Sequence, residues 1–327
     1  MIDAFARDIH YLRVSVTDRC NLRCIYCMPE AGLPLVDHRE VLRFEEFERL
    51  IAIAASQGIR RVRITGGEPL VRKGIVPFVA RVKTMTGIED VALTTNGLLL
   101  PRFASELKAA GLDRVNISLD TLRPERFRAV TRVGRIDDVW TGIEAALAAD
   151  LHPVKLNVVV MGGVNDDEVA DFARLTLQWP IHVRFIELMP IGEGDSRFRG
   201  QYVTIEQMKA KMAEQGLRLG DHPGIRGGGP ARYHTLAGAL GTVGFISAIS
   251  KHFCGTCNRL RLTAEGKLRP CLHSRQEIDL RTPLRRGASD NLLARIFQKA
   301  VEAKPYQHHM LDEGWGDRPR LMSQIGG

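Results

Sequence analysis

The amino-acid sequence predicts an α/β fold, an open six-stranded (β/α)6 partial TIM barrel with a C-terminal α+β extension. Three observations carry that expectation. Short β-branched runs recur through the first two hundred residues, helical periodicity fills the gaps between them, and the alternation stops near residue 190. Strands that alternate with helices pair in parallel and present their active face at the strands' C-terminal ends. Six such units fall short of an eight-fold barrel, and a flat doubly wound sheet is the alternative arrangement of the same pattern.

The expected strands are Tyr11–Thr17, Arg61–Thr65, Asp90–Thr95, Arg114–Leu119, Lys155–Met161 and His182–Glu187. Between them Phe47, Leu50, Ile51 and Ala54 recur at helical spacing, as do Ile136, Val139, Trp140 and Ile143. Pro101 marks a helix start and Gly111 its end. Asn165 with Glu168 resembles a capping box. Residues 1–190 are therefore expected to form the barrel core and 191–327 a second region. That region opens with two loops, IGEGDS and RGGGP, around a helix capped by Thr204 and Gln207 and ended by Gly216. An apolar run (243–249), a hairpin-like stretch (259–272) and a helix near 291–303 follow.

Composition narrows the class. With 44% hydrophobic and 26% charged residues, the chain is neither disordered nor collagen-like. At 327 residues it buries a core large enough that its 6 cysteines are not needed as staples. Asp and Arg stand among the first residues where a secretory leader carries an apolar run, and no apolar stretch is long enough to span a membrane. The expectation is a cytoplasmic protein without a membrane partner. A net charge of +8 suits phosphate-bearing partners. The excess is spread along the chain and aromatics make up only 6%, so no nucleic-acid track is expected.

The cysteines fall into two groups, Cys20-x3-Cys24-x2-Cys27 and Cys254-x2-Cys257-x13-Cys271. Disulfides conflict with a reducing compartment, and cysteines set among Asn, Arg and Tyr do not read as core. Zinc asks for four ligands where each group supplies three, although His252 and His273 keep a Cys3His zinc site open for the second group. Three thiolates suit a [4Fe–4S] cube with one iron left for a ligand. Gly255 and Thr256 permit the tight loop between two thiolates.

The first triad follows the first strand directly, carries Tyr26 before its third cysteine, and precedes Gly66-Gly67-Glu68-Pro69 at the end of the second strand. In that order these motifs resemble the radical S-adenosylmethionine superfamily. With VTDRCNLRCIYCMPE, RITGGEPLVR, LTTNG, NISLD, IELMPIG, the second triad with Arg259 and Arg261, and a Gly-Gly end, the whole chain resembles the GTP 3′,8-cyclases (MoaA) of molybdenum cofactor biosynthesis. No motif position departs from that pattern.

The resemblance implies two [4Fe–4S] clusters, on Cys20, Cys24 and Cys27 and on Cys254, Cys257 and Cys271. The first would reduce S-adenosylmethionine to methionine and a 5′-deoxyadenosyl radical, which takes the 3′ hydrogen of GTP so that C3′ can bond to C8. The second would anchor guanine. It further implies S-adenosylmethionine contacts at Tyr26, Gly67, Ser118 and Met189. GTP contacts are implied at Arg13, Arg63, Thr94, Lys155, Asn258, Arg259, Leu260 and Arg261. Gly326 and Gly327 would be catalytic, as a tail threaded into the active site, since glycine passes a narrow channel and takes dihedrals closed to other residues. The implied partners are a low-potential electron donor, a downstream cyclic pyranopterin monophosphate synthase and a second copy in a homodimer.

The cations have a case of their own. Arg13, Arg63 and Lys155 interrupt strands otherwise made of Val, Ile, Leu and Asn, and a buried cation is costly unless an anion such as a triphosphate meets it. The opposing reading places each on an outer strand face against a helix carboxylate. Two other function classes fit parts of the pattern: a peptide-modifying radical enzyme, and an Fe–S protein acting on RNA through its basic surface. The Arg259/Arg261 pair speaks against the first, and the absence of a recognisable RNA-binding module against the second.

Overall fold

A computed structural model describes residues 1–32, 36–189, 191, 200–225, 229–308 and 320–326. Its centre is six parallel strands, β1 (Tyr11–Ser15), β2 (Arg61–Thr65), β3 (Asp90–Thr95), β4 (Arg114–Ser118), β5 (Lys155–Val160) and β6 (His182–Glu187), adjacent in chain order. The connecting helices are α1 (Phe44–Ser56), α2 (Ile75–Lys83), α3 (Leu100–Ala109), α4 (Pro124–Thr131), α5 (Ile136–Ala148) and α6 (Val169–Gln178). Side chains alternate across a strand. Leu12, Val14, Val62, Ile64, Val91, Leu93, Leu156 and Val158 therefore join the helices in one core, while the alternate positions turn to the other face.

The C-terminal region does not form a separate layer. It adds β7 (Gly220–Asp221), β8 (Arg232–Thr235), β9 (Thr242–Ile246), β10 (Arg259–Leu262), β11 (Lys267–Arg269) and β12 (Ile278–Asp279) to both edges of the same sheet. β9 pairs parallel with β6 and β10 parallel with β1, so a 12-stranded sheet curls around one interior. The six expected strands are its middle. The hairpin-like stretch 259–272 forms β10 and β11 and the apolar run 243–249 holds most of β9; β7, β8 and β12, of two to four residues, are too short to show periodicity.

Three further helices, α7 (Ile205–Glu214), α8 (Arg281–Arg285) and α9 (Asp290–Glu302), complete the described elements. The Thr204–Gln207 capping box forms as predicted. The Asn165–Glu168 box does not. Helix α6 starts only at Val169, and Asn165 instead accepts from the Met161 N–H and donates to the carbonyls of Asp120 and Val159. A buried amide in a loop satisfies the loop's own orphan groups before it caps anything. No helix of the described residues is long and apolar enough to cross a membrane.

Candidate active site

The sheet surrounds a cavity of about 290 Å³, and all six cysteines line it. Cys20, Cys24 and Cys27 lie in the loop that leaves β1 at its C-terminal end. Burial pushes the Cys24 thiol well up, with Cys27, Asp120 and Cys20 adding to the rise, and pushes Cys20 up to about 11. Three half-buried thiols that resist ionisation singly are suited to a cationic centre that stabilises their charge together. The second triad differs. Burial raises the Cys257 thiol, but Arg259 and Lys304 outweigh it and bring its pKa down to about 6. Among the described residues no three of His, Cys, Asp and Glu converge on a point that would hold a single metal ion. A cube, whose thiolates sit on separate iron atoms, needs no such point.

Gly66 and Gly67 bring the end of β2 against the cysteine loop. A Cβ on Gly66 would stand 2.6 Å from the Thr17 carbonyl oxygen, and one on Gly67 2.4 Å from that of Arg19, so only glycine fits. The Gly67 N–H donates to the Thr17 carbonyl and the Glu68 N–H to that of Arg19. Glu68 is fully buried and accepts from the Leu70 and Asn96 N–H groups and from the Thr95 hydroxyl. The Tyr26 hydroxyl donates to Asp120 at 2.6 Å, and Asp120 also accepts from the Val159 N–H. Ser118 and Met189 line the same wall.

The cations form a row that register alone creates. Arg13 lies directly between Arg261 of β10 and Arg63 of β2 across three adjacent parallel strands. Like charges placed side by side in a sheet repel. Burial, then Arg261 and Arg63, holds the Arg13 guanidinium well below its ordinary pKa. Its Nε and the Thr94 hydroxyl are buried with no hydrogen-bond partner among the described residues. Two buried polar groups lining a cavity beside two further arginines of the same row are prepared for an anion. Arg63 donates to the Tyr11 hydroxyl at 2.7 Å, and Arg259 stacks over Phe253 with its NH2 3.7 Å from the Cys257 sulfur.

Not every expected residue reaches the cavity. Leu260 faces away, fully buried in the core behind the sheet, because it alternates with Arg259 and Arg261. Asn258 lies outside the wall, its side chain on His10 and its carbonyl accepting from the His10 and Tyr11 N–H groups. Lys155 is buried on the inner face of β5, one step below the lining residue Asn157. Gly326 is inside the barrel. Arg261 donates to its carbonyl at 2.9 Å and to that of Ile325 at 3.1 Å, and a Cβ on Gly326 would stand 2.3 Å from the Thr65 hydroxyl. Gly327 lies outside the described residues.

Among the lining residues that went unrecognised in the sequence, three are charged groups held by several partners. Arg184 is buried, donating to the side chains of Asn116 at 2.6 Å and Asn157 at 2.5 Å. Its place in HVRFIE, the same pattern as Arg13 and Arg63 in their strands, was the available signal. Asp120, two residues after Ser118 in NISLD, and Lys304, which donates to the carbonyls of Arg259 and Pro270, had no comparable signal.

The sequence matches the Radical SAM superfamily over residues 14–176 and Molybdenum Cofactor Synthesis C over residues 181–310. Proteins named GTP 3′,8-cyclase from Desulforamulus reducens and Moorella thermoacetica are 56% and 54% identical to this chain, over all of it and all of their own length. Among solved structures, Streptococcus suis SuiB bound to S-adenosylmethionine superposes with a TM-score of 0.60 at 13% identity, covering 89% of this chain and 68% of its own. That likeness shows the fold. A parallel partial barrel that carries Cys-x3-Cys-x2-Cys at the end of its first strand defines a radical S-adenosylmethionine enzyme. Within that class the chain belongs to the GTP 3′,8-cyclase family.

Proposed function

We propose that the protein converts GTP to (8S)-3′,8-cyclo-7,8-dihydroguanosine 5′-triphosphate, the first step of molybdenum cofactor biosynthesis, with S-adenosylmethionine as co-substrate. The observation that carries this reading is the row Arg261–Arg13–Arg63 in the same cavity as both cysteine triads. Cys20, Cys24 and Cys27 would hold one [4Fe–4S] cluster and Cys254, Cys257 and Cys271 a second. When bound, the first supplies the electron that cleaves S-adenosylmethionine to its 5′-deoxyadenosyl radical.

The protein's own groups do the rest by placement. The guanidinium row takes the triphosphate, with Thr94 beside it and Lys155 one step below the cavity wall. Arg259 and Arg261 place the nucleotide next to the second triad. Tyr26, fixed by Asp120, and Gly67, packed tightly against the cysteine loop, orient S-adenosylmethionine together with Ser118 and Met189. The 320–326 segment covers the interior and keeps water from the reacting atoms. A low-potential one-electron donor, a downstream synthase for cyclic pyranopterin monophosphate and a homodimer belong to the same reading.

Anaerobic incubation with S-adenosylmethionine, dithionite and GTP tests it. Release of 5′-deoxyadenosine should depend on GTP and be matched by the cyclised nucleotide. Release driven equally by peptide or RNA would overturn the assignment.

A further inference from the structure

The 320–326 segment is fastened at both ends. Inside the barrel Ile325 is 2% exposed among Ile191, Ala248 and Ile249, and Arg261 holds its carbonyl and that of Gly326. At the rim, Arg320 grips Glu277 in a two-point fork, Nε to Oε1 at 3.0 Å and NH2 to Oε2 at 2.9 Å. Its remaining nitrogen reaches Glu265 at 2.5 Å. A planar guanidinium gripped by two carboxylates has its position and its plane fixed, where a lysine would fix only a distance. These groups are no loose surface pair, since the side chains of Arg320, Glu277 and Glu265 are 16%, 20% and 19% exposed.

The carboxylates belong to the segment that carries the third cysteine of the second triad. Glu265 sits in the turn between β10 and β11, and Glu277 just before β12. Glu277 also pairs with Arg269, which donates to the carbonyls of Leu272 at 3.3 Å and Ser274 at 2.5 Å, either side of the stretch that follows Cys271. Between the rim clamp and Gly326 runs a single tight turn, Met322–Gln324, closed by the Leu321 N–H donating to the Gln324 side chain at 2.9 Å. So short and stiff a tether leaves little slack.

We propose that Arg320 is a positioning residue that sets how deep the 321–326 segment enters the barrel, with Glu277 and Glu265 of the segment that carries Cys271 as its fixed anchor. The inference deepens the proposed function, since a tail placed over the nucleotide matters only if the nucleotide is there.

Hydrogen exchange of the anaerobic, cluster-loaded protein should report on residues 321–326 in Arg320→Gln and Arg320→Lys. For Arg320→Gln the amides of 321–326 should exchange on the order of tenfold faster than in the wild type, with iron content and exchange of 259–272 unchanged. Arg320→Lys, which keeps the charge and loses the fork, should fall between. In the same preparations Arg320→Gln should still cleave S-adenosylmethionine but yield less cyclised product per cleavage. Wild-type exchange at 321–326 in both variants would overturn the proposal. So would faster exchange across 259–272 with loss of iron, which would assign Arg320 to holding the hairpin. Altered exchange with no GTP-dependent chemistry in the wild type would leave the clamp standing and remove the cyclase reading instead.

Discussion

Lys155 shows how much a single buried residue carries. It is 2% exposed, and burial together with Arg184, Arg114 and Arg63 brings its pKa down to about 5, so at neutral pH the amine is uncharged. A triphosphate placed beside it reverses the balance by favouring the charged form. The sign follows. If binding raises the pKa, binding takes up protons, and affinity for GTP should increase as pH falls from neutral toward about 5, the pKa of the free protein's amine. Calorimetry in buffers of different ionisation enthalpy measures that uptake, and Lys155→Met should abolish most of it. Zero uptake in the wild type would place the phosphates elsewhere. Glu68 makes a second case, since each of its three partners is a donor. Glu68→Gln sets an amide NH2 against one of them and should cost about 1–3 kcal/mol in denaturant titrations.

At the scale of elements, glycines decide how closely segments approach. Gly142 lies mid-helix in α5, where a Cβ would stand 2.2 Å from the Gly97 carbonyl oxygen at the exit of β3. That oxygen is backbone and has little room to retreat. Gly142→Ala should therefore lower stability by about 1–3 kcal/mol, the range for overpacking, although alanine is the better helix former. Gly326 has φ +71° and its own collision with Thr65. Gly326→Ala should expel the tip of the tail from the barrel, leaving GTP affinity within a few-fold of wild type while deuterium transfer from 3′-labelled GTP into 5′-deoxyadenosine falls sharply. Undiminished transfer would return the segment to a structural role.

For the whole molecule, the two triads face one interior although more than half the chain separates them in sequence. Two cubes predict about eight irons and eight sulfides per chain after anaerobic reconstitution. Cys24→Ala should abolish cleavage of S-adenosylmethionine, whereas Cys257→Ala should retain some uncoupled cleavage and lose the cyclised nucleotide. Stoichiometric zinc at Cys254, Cys257 and Cys271 in freshly purified anaerobic protein would sink the second cluster.

What the sequence determined by itself is whatever is encoded over short range. Strand and helix succession follows from periodicity, so all six central strands fall where the β-branched runs lie, with ends differing by at most two residues. The cysteine loop and the Gly66-Gly67 turn were legible because a motif is a local spacing. The extended sheet was not. Strands as short as β7 and β12 have no period to read, and the pairing that joins the 259–269 hairpin to the barrel, β10 on β1, links segments far apart in the chain. Tertiary structure alone aligned Arg261 with Arg13 and brought Arg320 onto Glu277 and Glu265. Register decides which residues of distant strands become neighbours, and register is settled only when every strand has found its partners and buried its apolar face.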